Sequence, residues 1–118
     1  MTGTNRMQRI SDADLLERLK VKGAVIILFG GEHCAVCRSL RPQLEAMLAT
    51  RFPSMAAAYI DCEKSPAICA QHHVFALPAV SVYIEGKLTI EEARAFSLTE
   101  LMRRTERSYA LWIESKNQ

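Results

Sequence analysis

Positions 24 to 37 of the chain read AVIILFGGEHCAVC. The first six of these residues are apolar without alternation, which is typical of a central strand that helices cover on both faces. Two glycines end the strand, and a helical pattern begins a few residues later. Cys34 and Cys37 lie at that junction, so this is where we look first for function.

The position of the two cysteines favours thiol chemistry. A helix N-terminus presents unpaired N–H groups and the positive end of the helix dipole, which favour a thiolate over a thiol. We therefore expect Cys34 to be the nucleophile and Cys37, one turn later, to resolve the mixed disulfide. The alternative is that both are small buried residues without a role. His33 would stabilise the thiolate when protonated, or it is an exposed residue that merely precedes the pair.

Periodic patterns on both sides of the junction alternate between strand and helix in the order β-α-β-α-β-α-β-β-α. From this order we expect strands joined through a helix to be parallel and the last hairpin, turning at Glu85-Gly86, to be antiparallel. Pro42 lies inside the second helix, where we expect a kink. The expected strands are 7–10, 24–29, 55–61, 79–84 and 88–90, and the expected helices are 11–22, 36–51, 65–73 and 98–114.

Length and composition bound the class of protein. A chain of 118 residues suffices for one domain and is too short for two ordinary ones, so we expect a single domain over 1–118 with flexible tails at about 1–6 and 115–118. Hydrophobic residues at 49% and charged residues at 24% argue against disorder. A basic stripe and an aromatic platform are both missing, so nucleic-acid binding is not expected.

Membrane insertion is not expected either. The longest strong apolar run covers six residues, where about 20 are needed to cross a bilayer. Residues 1–11 contain no apolar leader, so the expected location is the cytoplasm.

Two further cysteines, Cys62 and Cys69, lie across a predicted strand–helix boundary. Ordinary thiols are favoured for them because a reducing compartment disfavours permanent disulfides, and regulatory thiols that form a second disulfide are the alternative. A metal site built from the cysteines with His33, His72 and His73 is disfavoured, since neither a second C-x-x-C motif nor a matching histidine pair follows. We expect no metal and no other cofactor.

Taken in order, these motifs resemble the thioredoxin superfamily over nearly the whole chain. The resemblance rests on strand 24–29, the motif Cys34-Ala35-Val36-Cys37, Pro42, Leu77-Pro78 and the strand and hairpin at 80–87. It implies a thioredoxin fold, a three-layer α/β/α arrangement around a central mixed sheet. It also implies a monomeric thiol-disulfide oxidoreductase that acts on protein disulfides, with a flavin-dependent thioredoxin reductase as a candidate electron donor.

The resemblance also implies where a substrate docks. Pro78 is expected to be cis beside the cysteine pair, and the backbone of Leu77 to pair with an extended substrate segment. We expect an apolar docking surface around Val36, Leu77 and Ala93, and we count His33 and Pro78 with the substrate-binding residues.

Departures from the family affect the expected turnover. General thioredoxins carry Trp-Cys-Gly-Pro-Cys where this chain has His33-Cys34-Ala35-Val36-Cys37. Their buried aspartate and lysine assist proton transfer at the second cysteine, and this chain has Leu28 and Ala57 there. We therefore expect Cys37 to lose its proton more slowly. The alternative function is a thioredoxin-like redox-sensing binding or scaffold protein with little turnover.

Overall fold

Five β-strands and four α-helices alternate along residues 7–117, the part of the chain that this computed structural model describes. Residues 1–6 and Gln118, where we expect flexible tails, lie outside the described residues. The elements in chain order are β1 (Gln8–Arg9), α1 (Ala13–Lys20), β2 (Ala24–Gly30), α2 (Ala35–Arg51), β3 (Ala56–Asp61), α3 (Pro66–Gln71), β4 (Ala79–Ile84), β5 (Lys87–Ala93) and α4 (Leu98–Lys116).

The predicted order of elements is confirmed, with shifts at some ends. α3 stops at Gln71, because His73 soon afterwards has a φ of 58°, a left-handed conformation that cannot continue a helix. β5 is longer than expected and reaches Ala93. Ser115 and Lys116, which we expect in a flexible tail, lie in α4.

β2 is the central strand of a five-stranded sheet with the order β1-β3-β2-β4-β5. All of its residues are buried, as expected for an apolar run between two helical layers. Alternate side chains point to opposite faces of the sheet. Ile26 and Leu28 pack in a core with α2 and α4, whereas Ile27 and Phe29 pack in a core with α1 and α3. The predicted three-layer α/β/α arrangement is therefore confirmed.

The predicted direction of β4 is wrong. β1, β2 and β3 are parallel, but β4 is antiparallel to β2 although a helix connects it to β3. The reason is the short helix in this connection, since α3 has six residues and spans about 9 Å, roughly half the length of a six-residue strand, so it does not carry the chain back to the opposite edge of the sheet. Ala79 therefore enters the sheet beside Phe29, at the edge where β3 ends. The β4–β5 hairpin is antiparallel, as expected.

Short polar residues cap the helices around this sheet. Asp12 accepts the N–H groups of Asp14 and Leu15 at the start of α1, and Ser97 accepts that of Glu100 at the start of α4. α2 contains Pro42 within one continuous helix, and the kink there stays a prediction. Of the helices in residues 7–117, none combines the length and the apolar composition that a bilayer crossing requires.

Candidate active site

The cysteine pair lies at the first turn of α2, directly after the central strand. Cys34 is the N-cap residue, with φ −100° and ψ 101°, and its sulfur accepts the backbone N–H of Cys37 at 3.2 Å. The two cysteines form a disulfide with their Cα atoms 5.2 Å apart. Cys34 is partly exposed, whereas Cys37 is 1% exposed. The two sulfurs are therefore not equivalent, because the outer one is open to another molecule and the inner one is enclosed.

His33 is exposed next to Cys34, and Glu63 from the loop after β3 holds it in place. One carboxylate oxygen accepts the His33 backbone N–H at 2.9 Å, and the other lies 2.8 Å from the ring Nδ1. The hydrogen bond with Glu63, followed by the charge of that carboxylate, raises the pKa of His33, and the same hydrogen bond lowers the pKa of Glu63. A positive charge therefore persists beside Cys34 to higher pH than on a free histidine.

An apolar groove lies beside the cysteine pair. The Leu77–Pro78 peptide bond is cis, and the Pro78 carbonyl accepts the backbone N–H of Arg94 at 2.7 Å, which ties the loop to the end of β5. Arg94 is the one charged side chain among the residues that line this groove, which are Val36, Leu40, Leu77, Pro78, Arg94, Ala95, Phe96 and Leu98.

The structure brings three of the expected docking residues together in this groove: Val36, Leu77 and Pro78. Ala93 is not among the lining residues. It ends β5 and lines a different cavity together with Phe75, which is 81% exposed. His33 also lies outside the groove lining and contacts Glu63. Residues 94–96 line the groove where we expect Ala93.

Tyr59 and Asp61, at the end of β3 next to the strand that leads into the cysteine pair, were not singled out by the sequence analysis. A Cβ atom built on Gly30 would lie 3.0 Å from the Cβ of Cys37 and 3.1 Å from the Tyr59 hydroxyl. Asp61, which ends β3, is 3% exposed. Its Oδ1 accepts two backbone N–H groups of the following loop, whereas its buried Oδ2 has no hydrogen-bond partner among the described residues. An aspartate at the end of an apolar strand is the sequence signal that could have revealed this group.

Cys62 and Cys69 form a second disulfide, with Cα atoms 5.7 Å apart. The expectation of ordinary thiols is therefore wrong, and no cysteine in residues 7–117 is free. The cause is the short loop between β3 and α3, which places the first helical turn against the end of the strand. Nowhere in residues 7–117 do three or more His, Cys, Asp or Glu side chains group as they would to hold a metal ion.

Comparison with known proteins identifies the family. The family model described as Thioredoxin matches residues 7–106. The chain belongs to the thioredoxin family. It is 26% identical to the thioredoxin of Rhodospirillum rubrum over 103 residues, which cover 86% of this chain and 99% of that protein. It is 28% identical to the thioredoxin-like protein YdfQ of Bacillus subtilis over 79 residues, which cover 67% of this chain and 70% of that protein.

Solved thioredoxin structures share the fold of this thioredoxin-family chain. Fasciola hepatica thioredoxin superposes with a TM-score of 0.75 at 24% identity, over 87% of this chain and 99% of that one. Oxidised thioredoxin O2 of Arabidopsis thaliana gives 0.78 at 14% identity, over 89% and 96%. Thioredoxin-family membership and a C-x-x-C pair at disulfide distance together identify the chain as a thiol-disulfide oxidoreductase.

Proposed function

We propose that this protein reduces disulfide bonds of protein substrates, with Cys34 as the nucleophile and Cys37 as the resolving thiol. The observation that carries the proposal is the difference between the two sulfurs: Cys34 is partly exposed at the N-cap, and Cys37 is 1% exposed. The Cys34 thiolate attacks one sulfur of the substrate disulfide and releases the other. Cys37 then attacks Cys34, the substrate thiol leaves, and the pair is oxidised by two electrons.

The groove beside Pro78 supports docking of an extended, mostly apolar substrate segment. Its lining residues are apolar apart from Arg94, and Val36 between the two cysteines is 61% exposed. We assign the backbone of Leu77 as the partner of that segment and His33 as the charged contact on the other side of Cys34. An exposed apolar strip of this kind is typical of a binding surface.

Reduction of insulin by dithiothreitol tests the proposal. The wild-type protein should accelerate the reaction, and Cys34→Ser should abolish the acceleration because the nucleophile is gone. The matched control is Cys62→Ser with Cys69→Ser, which makes the same type of change away from the proposed nucleophile and should keep most of the activity. Equal rates for the wild type and Cys34→Ser would overturn the proposal.

A Cys37→Ser variant tests the order of attack. Without a resolving thiol, Cys34 should retain its substrate as a mixed disulfide, which mass spectrometry can identify. If the adduct instead forms on Cys37 in a Cys34→Ser protein, the assigned roles are reversed.

We also propose that the protein works as a monomer in the cytoplasm and receives electrons from a flavin-dependent thioredoxin reductase. Membership of the thioredoxin family supports such a donor. NADPH oxidation in a mixture of reductase, this protein and insulin should depend on this protein, and light scattering should give the mass of one chain. If NADPH is not oxidised, the proposed electron donor is wrong, and if light scattering gives the mass of two chains, the proposed monomer is wrong.

One observation favours a second candidate function, a redox-sensing binding or scaffold protein. Leu28 and Ala57 are both buried and carry no group that exchanges a proton. A reversible dithiol–disulfide couple with negligible insulin turnover would favour this candidate over the reductase.

We propose further that Cys62 and Cys69 are regulatory thiols. Glu63, which follows Cys62 directly, holds His33 beside the nucleophile. Opening the second disulfide would free this loop and weaken its contact with His33.

A further inference from the structure

We infer that Asp61 accepts the proton of Cys37 in this protein and that the Tyr59 hydroxyl transfers the proton between them. The inference rests on the proposed function, in which Cys37 must lose its proton to attack Cys34. Neither Leu28 nor Ala57 can take that proton, so solvent or another side chain has to accept it.

The space beside Gly30 brings the first two groups together. A methyl-sized atom on Gly30 would touch both the Cβ of Cys37, at 3.0 Å, and the Tyr59 hydroxyl, at 3.1 Å. The hydroxyl and the thiol-bearing side chain therefore border the same small space. Because Gly30 has no side chain, nothing from β2 separates them.

Asp61 completes the set because of its place in β3. It lies two residues after Tyr59, so both side chains project from the same face of the sheet, the face that packs against α2. It also pairs in register with Gly30. Its Oδ1 is fixed by two backbone N–H groups, and its buried Oδ2 is left without a partner among the described residues. An unpaired buried carboxylate oxygen costs free energy of folding and therefore calls for an explanation, which a role as proton acceptor supplies.

Burial, together with the charge of Asp61, keeps the Tyr59 hydroxyl protonated. Burial first, and then the charge of Asp61, raise the pKa of Tyr59, while the nearby arginines oppose this rise. A tyrosine that stays neutral can transfer a proton only by accepting one as it donates its own. Two arginines lie over the Tyr59 ring: the guanidinium carbon of Arg9 in β1 is 5.8 Å from the ring centroid, and that of Arg41 in α2 is 4.3 Å from it. Glu45 lies 3.6 Å from Arg41, and the charge of Glu63, in the loop after β3, also acts on the Tyr59 hydroxyl.

The resolving step then balances. The Cys37 sulfur attacks the Cys34 sulfur of the mixed disulfide while its proton moves to the Tyr59 hydroxyl, which gives its own proton through a bridging water molecule to Oδ2 of Asp61. The bond between the two cysteines forms, and the bond from Cys34 to the substrate sulfur breaks. The substrate leaves as a thiolate and takes a proton from water, and Asp61 later returns its proton to the solvent. The dithiol loses two electrons and the substrate disulfide gains them.

Stopped-flow reaction with dithiobis(nitrobenzoate) separates the two chemical steps. In a full-length Cys62→Ser, Cys69→Ser background, attack by Cys34 releases one coloured thionitrobenzoate, and resolution by Cys37 releases the second. In Asp61→Asn, the amide oxygen can still accept the two backbone N–H groups, but the amide is not basic enough to accept the Cys37 proton. This change and Tyr59→Phe should each leave the first phase unchanged and slow the second by at least about tenfold at neutral pH.

Two readouts distinguish proton transfer from a structural role. The slowed phase of Asp61→Asn should rise with pH where the parent is flat, and Asp61→Glu, which restores a carboxylate, should recover part of the second-phase rate. The matched control Asp12→Asn changes another carboxylate that accepts two backbone N–H groups, at the start of α1, and should alter neither phase.

The possible failures are distinguishable. An unchanged second phase in Asp61→Asn, or a slowed phase that does not rise with pH, would overturn the inference about Asp61. An unchanged second phase in Tyr59→Phe would remove the hydroxyl from the route. Loss of the first phase from the parent protein would instead contradict the proposed role of Cys34.

Discussion

Glu63 binds His33 at two points, the backbone N–H and the ring Nδ1, across the loop that leads into α2. Gly31 makes room for this contact, because a Cβ atom there would lie 2.5 Å from a Glu63 carboxylate oxygen. Glu63 follows Cys62, whose N–H donates to the Gly30 carbonyl at 2.8 Å. The second disulfide and the active-site loop are therefore connected through two adjacent residues.

Glu63→Gln should lower the pKa of His33 towards the ordinary value of about 6.5 for a histidine. The pair is ionic between the lowered pKa of Glu63 and the raised pKa of His33. The attraction is therefore lost when the pH rises through the His33 pKa or falls through the Glu63 pKa. An NMR titration of the His33 ring protons measures the change directly.

Glu32→Gln is the control for this titration. The charge of Glu32 also raises the pKa of His33, but it ranks below the hydrogen bond and the charge of Glu63. Its removal should therefore give a smaller downward shift. A His33 pKa that stays unchanged in Glu63→Gln would contradict the assigned cause.

Gly30→Ala should destabilise the protein by about 1–3 kcal/mol, because the new methyl group overpacks a filled core. It would lie 3.0 Å from both the Cβ of Cys37 and the Cε1 of Tyr59. Gly31→Ala is the comparison, since its methyl group meets the flexible end of Glu63 and should cost less stability. Urea denaturation of the two oxidised variants measures the difference, and equal midpoints would contradict the packing assigned to Gly30.

Local patterns predict most of this fold because strands, helices and caps depend on neighbouring residues. The apolar run of β2 is predicted in this way, and the caps at Asp12 and Ser97 are equally local, since each side chain accepts N–H groups two or three residues away. The direction of β4 is not local, since it depends on how far α3 carries the chain before Ala79 enters the sheet. Periodicity carries no information about that distance.

The site is predictable in its centre and less so at its margins. The pair Cys34 and Cys37 follows from a motif at a strand–helix junction. The disulfide between Cys62 and Cys69 depends on the direction in which α3 leaves the short loop after β3, which sequence separation does not determine. β5 ends at Ala93, three residues after the predicted end at 90. Ala93 therefore belongs to the strand, and residues 94–96 line the groove instead.

Replacing both Cys62 and Cys69 by serine should destabilise the oxidised protein by about 2–3 kcal/mol, because the bond closes a short loop and restricts the unfolded chain. Urea denaturation with and without reductant measures this. The difference from the wild type should shrink once both proteins are reduced, since neither then has the bond and only the cost of placing a hydroxyl at the buried position of Cys69 remains. Equal midpoints in the oxidised proteins would show that this disulfide does not constrain the unfolded chain.

Arg94→Glu should reverse the charge preference of the docking groove. Arg94 is exposed and is the one charged side chain among the groove's lining residues, so an acidic residue near the substrate cysteine should be attracted to it and a basic one repelled. Exposed ion pairs contribute up to about 1 kcal/mol, so kcat/KM should change by up to about fivefold, and the effect should fade at high salt.

The measurement compares two peptide disulfides that differ by aspartate or lysine beside the cysteine. Arg103→Glu, on α4 and paired with Glu100, is the matched control and should leave the ratio of the two rates unchanged. The same ratio in Arg94→Glu as in the wild type would show that the groove does not select by charge.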